Sequence, residues 1–169
     1  NYYFRINRKR IHFFQISTDE VYGSLDKGAA DEDSFINPSS PYSASKASAD
    51  ALVLGICKTY NIDFNITRCT NNYGPYQYPE KLIPLTLYRS LNNKKIEIYG
   101  DGKNKRDWIY VDDHLTGIYK IIKHGKKNNI YNLGAQKIYS NNYIVKKILN
   151  ILNKFKKNKI INDYNNQIM

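Results

Sequence analysis

The chain has 169 residues, of which 41% are hydrophobic and 24% charged, with only 9 glycines and 5 prolines. This composition indicates a globular protein and excludes collagen-like and low-complexity disordered classes. The longest apolar run, residues 51–57, is far shorter than the roughly 18 to 20 residues that a membrane-spanning helix needs. We therefore expect no membrane partner.

The formal net charge of +11 is concentrated at one end of the chain. Residues 120–169 hold 11 lysines and a single acid, and the lysines of residues 146–157 alternate with apolar residues at helical spacing. That pattern is typical of an amphipathic helix with a solvated face, so we predict no nucleic-acid partner. The spacing of Cys57 and Cys69 indicates neither a metal site nor a disulfide framework, which favours a reducing, cytoplasmic location.

Hydrophobic patterning predicts strands and helices that alternate along the chain. A buried strand at 11–16 is followed by a polar loop at 23–41, a helix from 42 to about 60 and a strand at 62–68. After a loop at 71–80, the pattern predicts a helix at 83–91, strands at 96–99 and 108–111, a helix capped by Asp112 or Asp113 and ending at His124, a strand at 130–133 and a basic helix at 142–157. This alternation predicts an α/β fold.

Two groups of polar residues are candidates for chemistry. Thr18, Asp19 and Glu20 follow the first predicted strand, and ligands of open α/β sheets bind outside the carboxyl ends of strands. Tyr42 and Lys46 lie four apart on the first predicted helix, so they share one face, and a nearby ammonium favours the phenolate form of a tyrosine. Taken singly, each group has a structural alternative: the acids could cap a helix or line a solvated turn, and the Tyr–Lys pair could be exposed.

Together with other segments, these groups resemble the dTDP-glucose 4,6-dehydratases of the extended short-chain dehydrogenase/reductase superfamily. The segments that carry the resemblance are residues 12–23, 41–50, 71–84, 106–114 and 131–134, and they extend over residues 11 to about 145. Five ordered segments are more specific than any single motif. The resemblance implies an incomplete Rossmann-like parallel sheet, interleaved with a smaller α/β substrate-binding part.

The resemblance also implies a role for each residue of the two groups. Tyr42 would take the proton of the sugar 4-hydroxyl while hydride passes from carbon 4 to NAD, with Thr18 bonded to the same oxygen and Lys46 holding the nicotinamide ribose. Glu20 would then remove the proton on carbon 5, and Asp19 would protonate the departing 6-hydroxyl. Related epimerases usually lack this acid pair, and GDP-mannose dehydratases generally keep only the glutamate. The resemblance therefore makes Asp19 the residue that distinguishes dTDP-glucose dehydratases from both.

Further residues are implied to contact the cofactor and the nucleotide sugar. Tyr42, Lys46 and Asn72 match cofactor contacts. Thr18 would contact the sugar itself, and the positions that match contacts to the nucleotide and its diphosphate are Asn71, Lys81, Leu82, Ile98, Tyr99, Arg106 and Asn141. Residues 1–75 with about 105–131 would form the C-terminal part of the NAD-binding domain, and residues 76–104 and 132–169 part of the nucleotide-sugar-binding domain. The expected partners are dTDP-glucose and, in the complete protein, a second copy in a homodimer.

The Gly-rich strand–turn–helix with which the family cradles the pyrophosphate of NAD has no counterpart in this chain. We therefore interpret the sequence as an internal or C-terminal fragment of an NAD-dependent lyase. Two alternatives stay open: a catalytically inactive fragment that retains only nucleotide-sugar contacts, and another NAD-dependent nucleotide-sugar epimerase or dehydratase.

Overall fold

The computed structural model describes residues 11–24 and 28–156. Within these ranges the helices are α1 (Pro41–Tyr60), α2 (Leu82–Leu91), α3 (Val111–His124) and α4 (Asn141–Lys156). The strands are β1 (His12–Thr18), β2 (Asp63–Cys69), β3 (Asn71–Tyr73), β4 (Lys105–Tyr110), β5 (Asn129–Leu133) and β6 (Ile138–Ser140). A 3₁₀ turn, Asp19–Tyr22, follows β1 directly.

The first sheet contains β1, β2 and β5 in that spatial order, and all of its pairs are parallel. Its register places Thr18 beside Cys69, and Cys69 beside Leu133. The last residues of the three strands therefore lie along one edge of the sheet. This edge is where an open α/β sheet binds its ligands, and the predicted acid pair begins there.

The second sheet is smaller and contains β3, β4 and β6. β3 runs parallel to β4, whereas β6 is antiparallel to β4. Beside it, α2 and α4 enclose a separate apolar cluster of Ile96, Val145 and Leu149, against which Leu82, Ile98 and Leu152 pack. The predicted mixture of a parallel α/β sheet with a smaller α/β part is confirmed.

Local sequence signals explain where α1 begins and ends. Ser40 and Ser43 form a reciprocal capping box, and Pro41 occupies the first turn, where its missing N–H costs nothing. Asn61 closes the helix in the left-handed conformation, with φ of 52°, a conformation in which asparagine is common. The predicted helix from residue 42 to about 60 is confirmed with nearly the same ends.

Three details of the predicted elements are wrong. Residues 96–99 do not form a strand: only Ile96 makes an isolated bridge, because this segment packs its apolar side chains on α2 and α4 instead of pairing along its length. Neither Asp112 nor Asp113 caps α3, since the helix begins at Val111 and both acids lie in its first turn. The loop predicted at 71–80 contains the short strand β3.

No helix among the described residues is both long and apolar enough to cross a membrane. Both cysteines are buried and free. The part of the basic tail beyond Lys156 lies outside the described residues.

A buried ion pair connects α1 to the centre of the first sheet. The Arg68 Nε atom donates to the Asp50 Oδ2 atom at 3.1 Å, and the two side chains are only 4% and 3% exposed. Within the described part of the chain, the second carboxylate oxygen of Asp50 has no hydrogen-bond partner. Removing the carboxylate would leave a buried guanidinium without its counter-charge.

We expect Asp50→Ala to lower the free energy of unfolding by about 3–5 kcal/mol, the usual cost of removing one partner of a buried ion pair. The matched control is Asp63→Ala, whose partner Lys127 lies at 2.6 Å but is 63% exposed. This exposed pair should contribute at most about 1 kcal/mol. Urea unfolding followed by the fluorescence of Trp108, the only tryptophan, measures both changes. Equal losses in the two variants would contradict the assignment.

Candidate active site

The residues after β1 form a compact acidic turn. Thr18 caps the 3₁₀ turn, since its Oγ1 atom accepts the backbone N–H of Glu20 at 3.3 Å. The same hydroxyl donates to the Asp19 carboxylate at 3.4 Å. Thr18 is buried, whereas Asp19 and Glu20 are half-buried at the carboxyl edge of the sheet. The turn thus fixes two adjacent carboxyl groups beside one hydroxyl.

Burial raises the pKa of Asp19 from 3.8 to about 6, and the neighbouring charge of Glu20 adds to this rise. The hydrogen bond from Thr18 and the positive charge of Arg106 oppose it. At neutral pH, Asp19 therefore holds a proton far more often than an ordinary aspartate does. A carboxyl group with this pKa beside a second carboxyl is suited to act as a general acid.

The raised pKa predicts a pH-dependent stability change in Asp19→Asn. The folded state opposes ionisation of this aspartate, so its contribution to stability decreases as pH rises from about 4 to above about 6. Removing the titrating group should stabilise the chain by up to about 3 kcal/mol near pH 8 and have little effect near pH 4. Urea unfolding at the two pH values tests this, with the exposed Asp33→Asn as control. A gain of equal size at both pH values would contradict it.

Tyr42 reaches the same turn from the first turn of α1. Burial raises its pKa above 10, the charge of Glu20 adds to the rise, and a hydrogen bond with Thr18 opposes it. The side chain is nevertheless 55% exposed, so the phenol is accessible from outside the sheet edge. The structure therefore brings Thr18, Asp19, Glu20 and Tyr42 together, as the sequence predicts.

Lys46 lies one turn further along the same face of α1. Its Nζ atom donates to the backbone carbonyl of Ile16 on β1 at 2.7 Å. Burial raises the pKa of the Cys69 thiol, and the Lys46 charge is close enough to oppose that rise. The ammonium therefore lies between β1 and the end of β2, and its hydrogen bond anchors α1 to the sheet.

Asn72 on β3 is linked to the end of β2, which lies beside Thr18, by a hydrogen bond to Cys69. Its Nδ2 atom donates to the Cys69 sulfur at 3.3 Å and to the Thr70 carbonyl at 3.2 Å. Gln77 donates to its backbone carbonyl at 2.8 Å. The buried Oδ1 atom of Asn72 has no hydrogen-bond partner within the described residues. A ligand that donates an N–H group would satisfy this oxygen.

Arg106 and Asp107 extend the site to the second sheet. Arg106 is exposed on β4, and its charge acts on Asp19. The carboxylate of Asp107 accepts three backbone N–H groups, from Ala135, Gln136 and Lys137, at 2.9, 3.1 and 2.6 Å. These bonds attach the loop after β5 to β4 and thereby hold the strand that carries Arg106.

The other predicted contacts lie further from the acid pair and have varied surroundings. Asn71 is half-buried on β3, where it pairs with Trp108 of β4. Lys81 precedes α2 and is exposed, and Tyr99 is 91% exposed. Leu82 and Ile98 pack on the apolar cluster between α2 and α4. Asn141 begins α4, and its N–H donates to the Asn104 carbonyl at 3.1 Å.

Sequence reasoning did not identify the polar residues behind the site. The buried side chains of Tyr22, Asp50 and Arg68 form one network with the half-buried Asn132. A signal was available, because an arginine in a predicted buried strand requires a carboxylate partner. No cluster of three or more metal-binding side chains occurs in the described ranges, 11–24 and 28–156.

A parallel α/β sheet with a Tyr–Lys pair and an acidic turn at its carboxyl edge defines the class as the Rossmann-like short-chain dehydrogenase/reductase fold. The chain belongs to the GDP-mannose 4,6-dehydratase family, whose sequence model matches residues 3–167.

Similar proteins support this assignment. A dTDP-glucose 4,6-dehydratase from Streptomyces griseus is 47% identical over 133 residues, which are 79% of this chain and 40% of that protein. The crystal structure of the Bacillus anthracis dTDP-glucose 4,6-dehydratase in complex with NAD matches with a TM-score of 0.85 and 44% identity, over 97% of this chain and 51% of that one. A Bacillus cereus UDP-glucuronic acid 4-epimerase matches with a TM-score of 0.82 and 30% identity, over 88% and 49% of the two chains.

The chain spans about half the length, or less, of the relatives that it matches. The match to the Bacillus anthracis structure covers 97% of this chain and about half of that one.

Proposed function

We propose that this chain supplies the catalytic residues of an NAD-dependent dTDP-glucose 4,6-dehydratase, a lyase. The observation that supports the proposal is the acidic turn. In it, Asp19, with a pKa of about 6, is adjacent to Glu20, and the charges of both carboxyl groups act on the pKa of Tyr42. The elimination of water needs one carboxyl group that donates a proton and another group that accepts one. Adjacent carboxyl groups in a half-buried turn supply this combination.

In the first step, Tyr42 would accept the proton of the sugar 4-hydroxyl. Thr18 stabilises the phenolate form, since its hydrogen bond lowers the tyrosine pKa, although burial and Glu20 raise it. Lys46 lies one helical turn from Tyr42 on the same face of α1, so its ammonium, which is bonded to the Ile16 carbonyl, would contribute a positive charge to the phenol in the proposed site. The proposed site would therefore combine a base with two groups that favour its ionised form.

In the second step, Glu20 would remove the proton on carbon 5, which the 4-keto group makes acidic. Asp19 would give its proton to the departing 6-hydroxyl, so the carbon–oxygen bond breaks with loss of water and not hydroxide. Because burial and the charge of Glu20 raise the pKa of Asp19 to about 6, Asp19 holds a proton more often than an ordinary aspartate does, which suits it to the role of acid. An epimerase has no need of such a pair.

The residues fit NAD as the cofactor. Lys46 lies beside the end of β1, bonded to the Ile16 carbonyl. The buried Oδ1 atom of Asn72 has no hydrogen-bond partner in the described part of the chain, so it is free to accept a hydrogen bond from the carboxamide N–H of NAD. NAD, when bound, supplies the hydride acceptor at carbon 4 and the hydride donor at carbon 6.

We assign the nucleotide sugar to the surface between the two sheets. Arg106 offers a cation to the diphosphate, and the residues proposed for the nucleotide and its diphosphate are Asn71, Lys81, Leu82, Ile98, Tyr99 and Asn141. On this basis, residues 1–75 with about 105–131 belong to the NAD-binding domain, and residues 76–104 and 132–169 to the nucleotide-sugar-binding domain. We further propose a homodimer of the complete protein and a cytoplasmic location, which suits two free cysteines.

The test uses a chimaera in which residues 11–145 of this chain replace the matching segment of the Streptomyces griseus dehydratase. We expect the chimaera to convert dTDP-glucose to its 4-keto-6-deoxy product, detected by mass spectrometry as loss of water. The host supplies the remaining segments, so product formation depends on the chemistry of the transferred residues.

The control is a chimaera that carries both Asp19→Ala and Glu20→Ala. Without the acid pair, product formation should fall by about 10²-fold or more, the scale of general acid–base catalysis. Equal activity of the chimaera and its control, or a folded chimaera without activity, would contradict the proposed function.

A further inference from the structure

A buried polar network lies behind the acidic turn. The Oη atom of Tyr22 accepts a hydrogen bond from Arg68 at 2.9 Å and donates one to the Asn132 Oδ1 atom at 2.8 Å. The guanidinium also lies 4.9 Å from the centre of the Tyr22 ring, and its Nε atom bonds Asp50. Tyr22 and Arg68 are only 4% and 3% exposed, so the contact between them is shielded from water, whereas Asn132 is half-buried.

Each member of this network belongs to a different element. Tyr22 ends the acidic turn, Asp50 lies on α1, Arg68 on β2 and Asn132 on β5. Asp50 is four residues after Lys46 and eight after Tyr42, so the three share one face of α1. The network therefore joins the turn that holds the acid pair to the helix that holds the Tyr–Lys pair.

The same network also anchors the chain that leaves the turn. The Oδ1 atom of Asn132 accepts a hydrogen bond from the Tyr22 hydroxyl. Its Nδ2 atom donates to the Ala30 carbonyl at 3.3 Å, and its backbone N–H donates to the Glu32 carboxylate at 2.7 Å. The Asn37 N–H donates to the Val21 carbonyl at 2.9 Å. Both ends of the turn are thus fixed, one by β1 and the other by Tyr22 and the loop that follows.

The acidic turn depends on such anchors because it is short. Four residues in a 3₁₀ turn have few hydrogen bonds of their own, among them the Gly23 N–H to the Glu20 carbonyl at 3.1 Å. A general acid and a general base must be held in place precisely, and a displacement of about 1 Å can lower a rate by about 10²-fold.

We infer that Tyr22 is a positioning residue. Its hydroxyl bridges Arg68 and Asn132 and thereby fixes the position of the Asp19–Glu20 turn relative to the helix that carries Tyr42 and Lys46. The inference rests on the proposed function. The phenol ring alone would fill the same space, so the hydroxyl is the part that sets the position of the turn. Because Asp50 bonds Arg68 directly, loss of the hydroxyl releases the turn and leaves α1 attached to β2.

The experiment is a single-turnover measurement on the chimaera with Tyr22→Phe. Oxidation at carbon 4 is followed by the absorbance of the reduced cofactor, and elimination by rapid quenching and mass spectrometry. We expect elimination to slow by about tenfold or more while oxidation changes by less than about twofold, because only elimination uses Asp19 and Glu20. The control is Tyr131→Phe on β5. It removes another bonded hydroxyl, which accepts a hydrogen bond from the Lys126 N–H, and should change neither step.

Equal slowing of both steps, or no slowing of either, would overturn the inference. If Tyr22→Phe does not fold, Asn132→Ser removes the other end of the bridge and should produce the same selective loss. A chimaera that cannot dehydrate dTDP-glucose before any substitution would instead contradict the proposed function, so the two failures are distinguishable.

Discussion

Tyr42→Phe is expected to lower the turnover of the chimaera by about 10²-fold or more, the scale of general-base catalysis. The substitution removes the group that accepts the 4-hydroxyl proton but keeps the ring and most substrate contacts. Substrate affinity should therefore change little. Steady-state kinetics with dTDP-glucose, together with calorimetric binding of the substrate, separates the two quantities.

The matched control is Tyr60→Phe, on the same helix but at its exposed end. It should retain normal turnover. Near-normal turnover of Tyr42→Phe would show that the Tyr42–Lys46 pair is an exposed helical pair without a catalytic role.

Lys46→Met should move the pH dependence of turnover towards higher pH. The phenol would lose a nearby positive charge, so its pKa, already raised by burial and by Glu20, would rise further. The same substitution removes the hydrogen bond to the Ile16 carbonyl, so thermal unfolding is measured in parallel. A lower rate with an unchanged pH profile would assign Lys46 to anchoring α1 alone.

Asp19→Asn is expected to slow elimination by about 10²-fold while leaving oxidation at carbon 4 largely intact. Only the departure of the 6-hydroxyl needs the proton of this carboxyl group. Single-turnover measurements should therefore show the reduced cofactor accumulating in the variant. Equal loss of oxidation and elimination would refute the role of Asp19 as the acid.

The position of the site could be predicted from the sequence because it depends on strand ends. Thr18 follows a short apolar run, and the carboxyl end of a parallel strand is where an α/β sheet presents polar groups. The helical pair Tyr42 and Lys46 was equally predictable, since the Ser40–Pro41 signal sets where α1 begins. These features are determined by local patterning.

The features that could not be predicted depend on tertiary contacts. Residues 96–99 are apolar enough for a strand, but Ile96 and Ile98 pack against the apolar cluster beside α2 and α4 without strand pairing along the segment. The pKa of Asp19 is raised by burial and by Glu20 and is partly lowered again by Arg106, which is distant in sequence. The bridge from Arg68 through Tyr22 to Asn132 likewise joins residues up to 110 positions apart.

The fate of the hydrogen on carbon 4 tests the proposed function most directly. The chimaera is supplied with dTDP-glucose that carries deuterium at carbon 4, and the product is examined by mass spectrometry and NMR. The proposed chemistry, in which Asp19 and Glu20 eliminate water after oxidation, predicts deuterium in the methyl group at carbon 6 of a 4-keto-6-deoxy sugar. Deuterium retained at carbon 4 of a sugar that has kept its 6-hydroxyl would identify an epimerase and contradict the account.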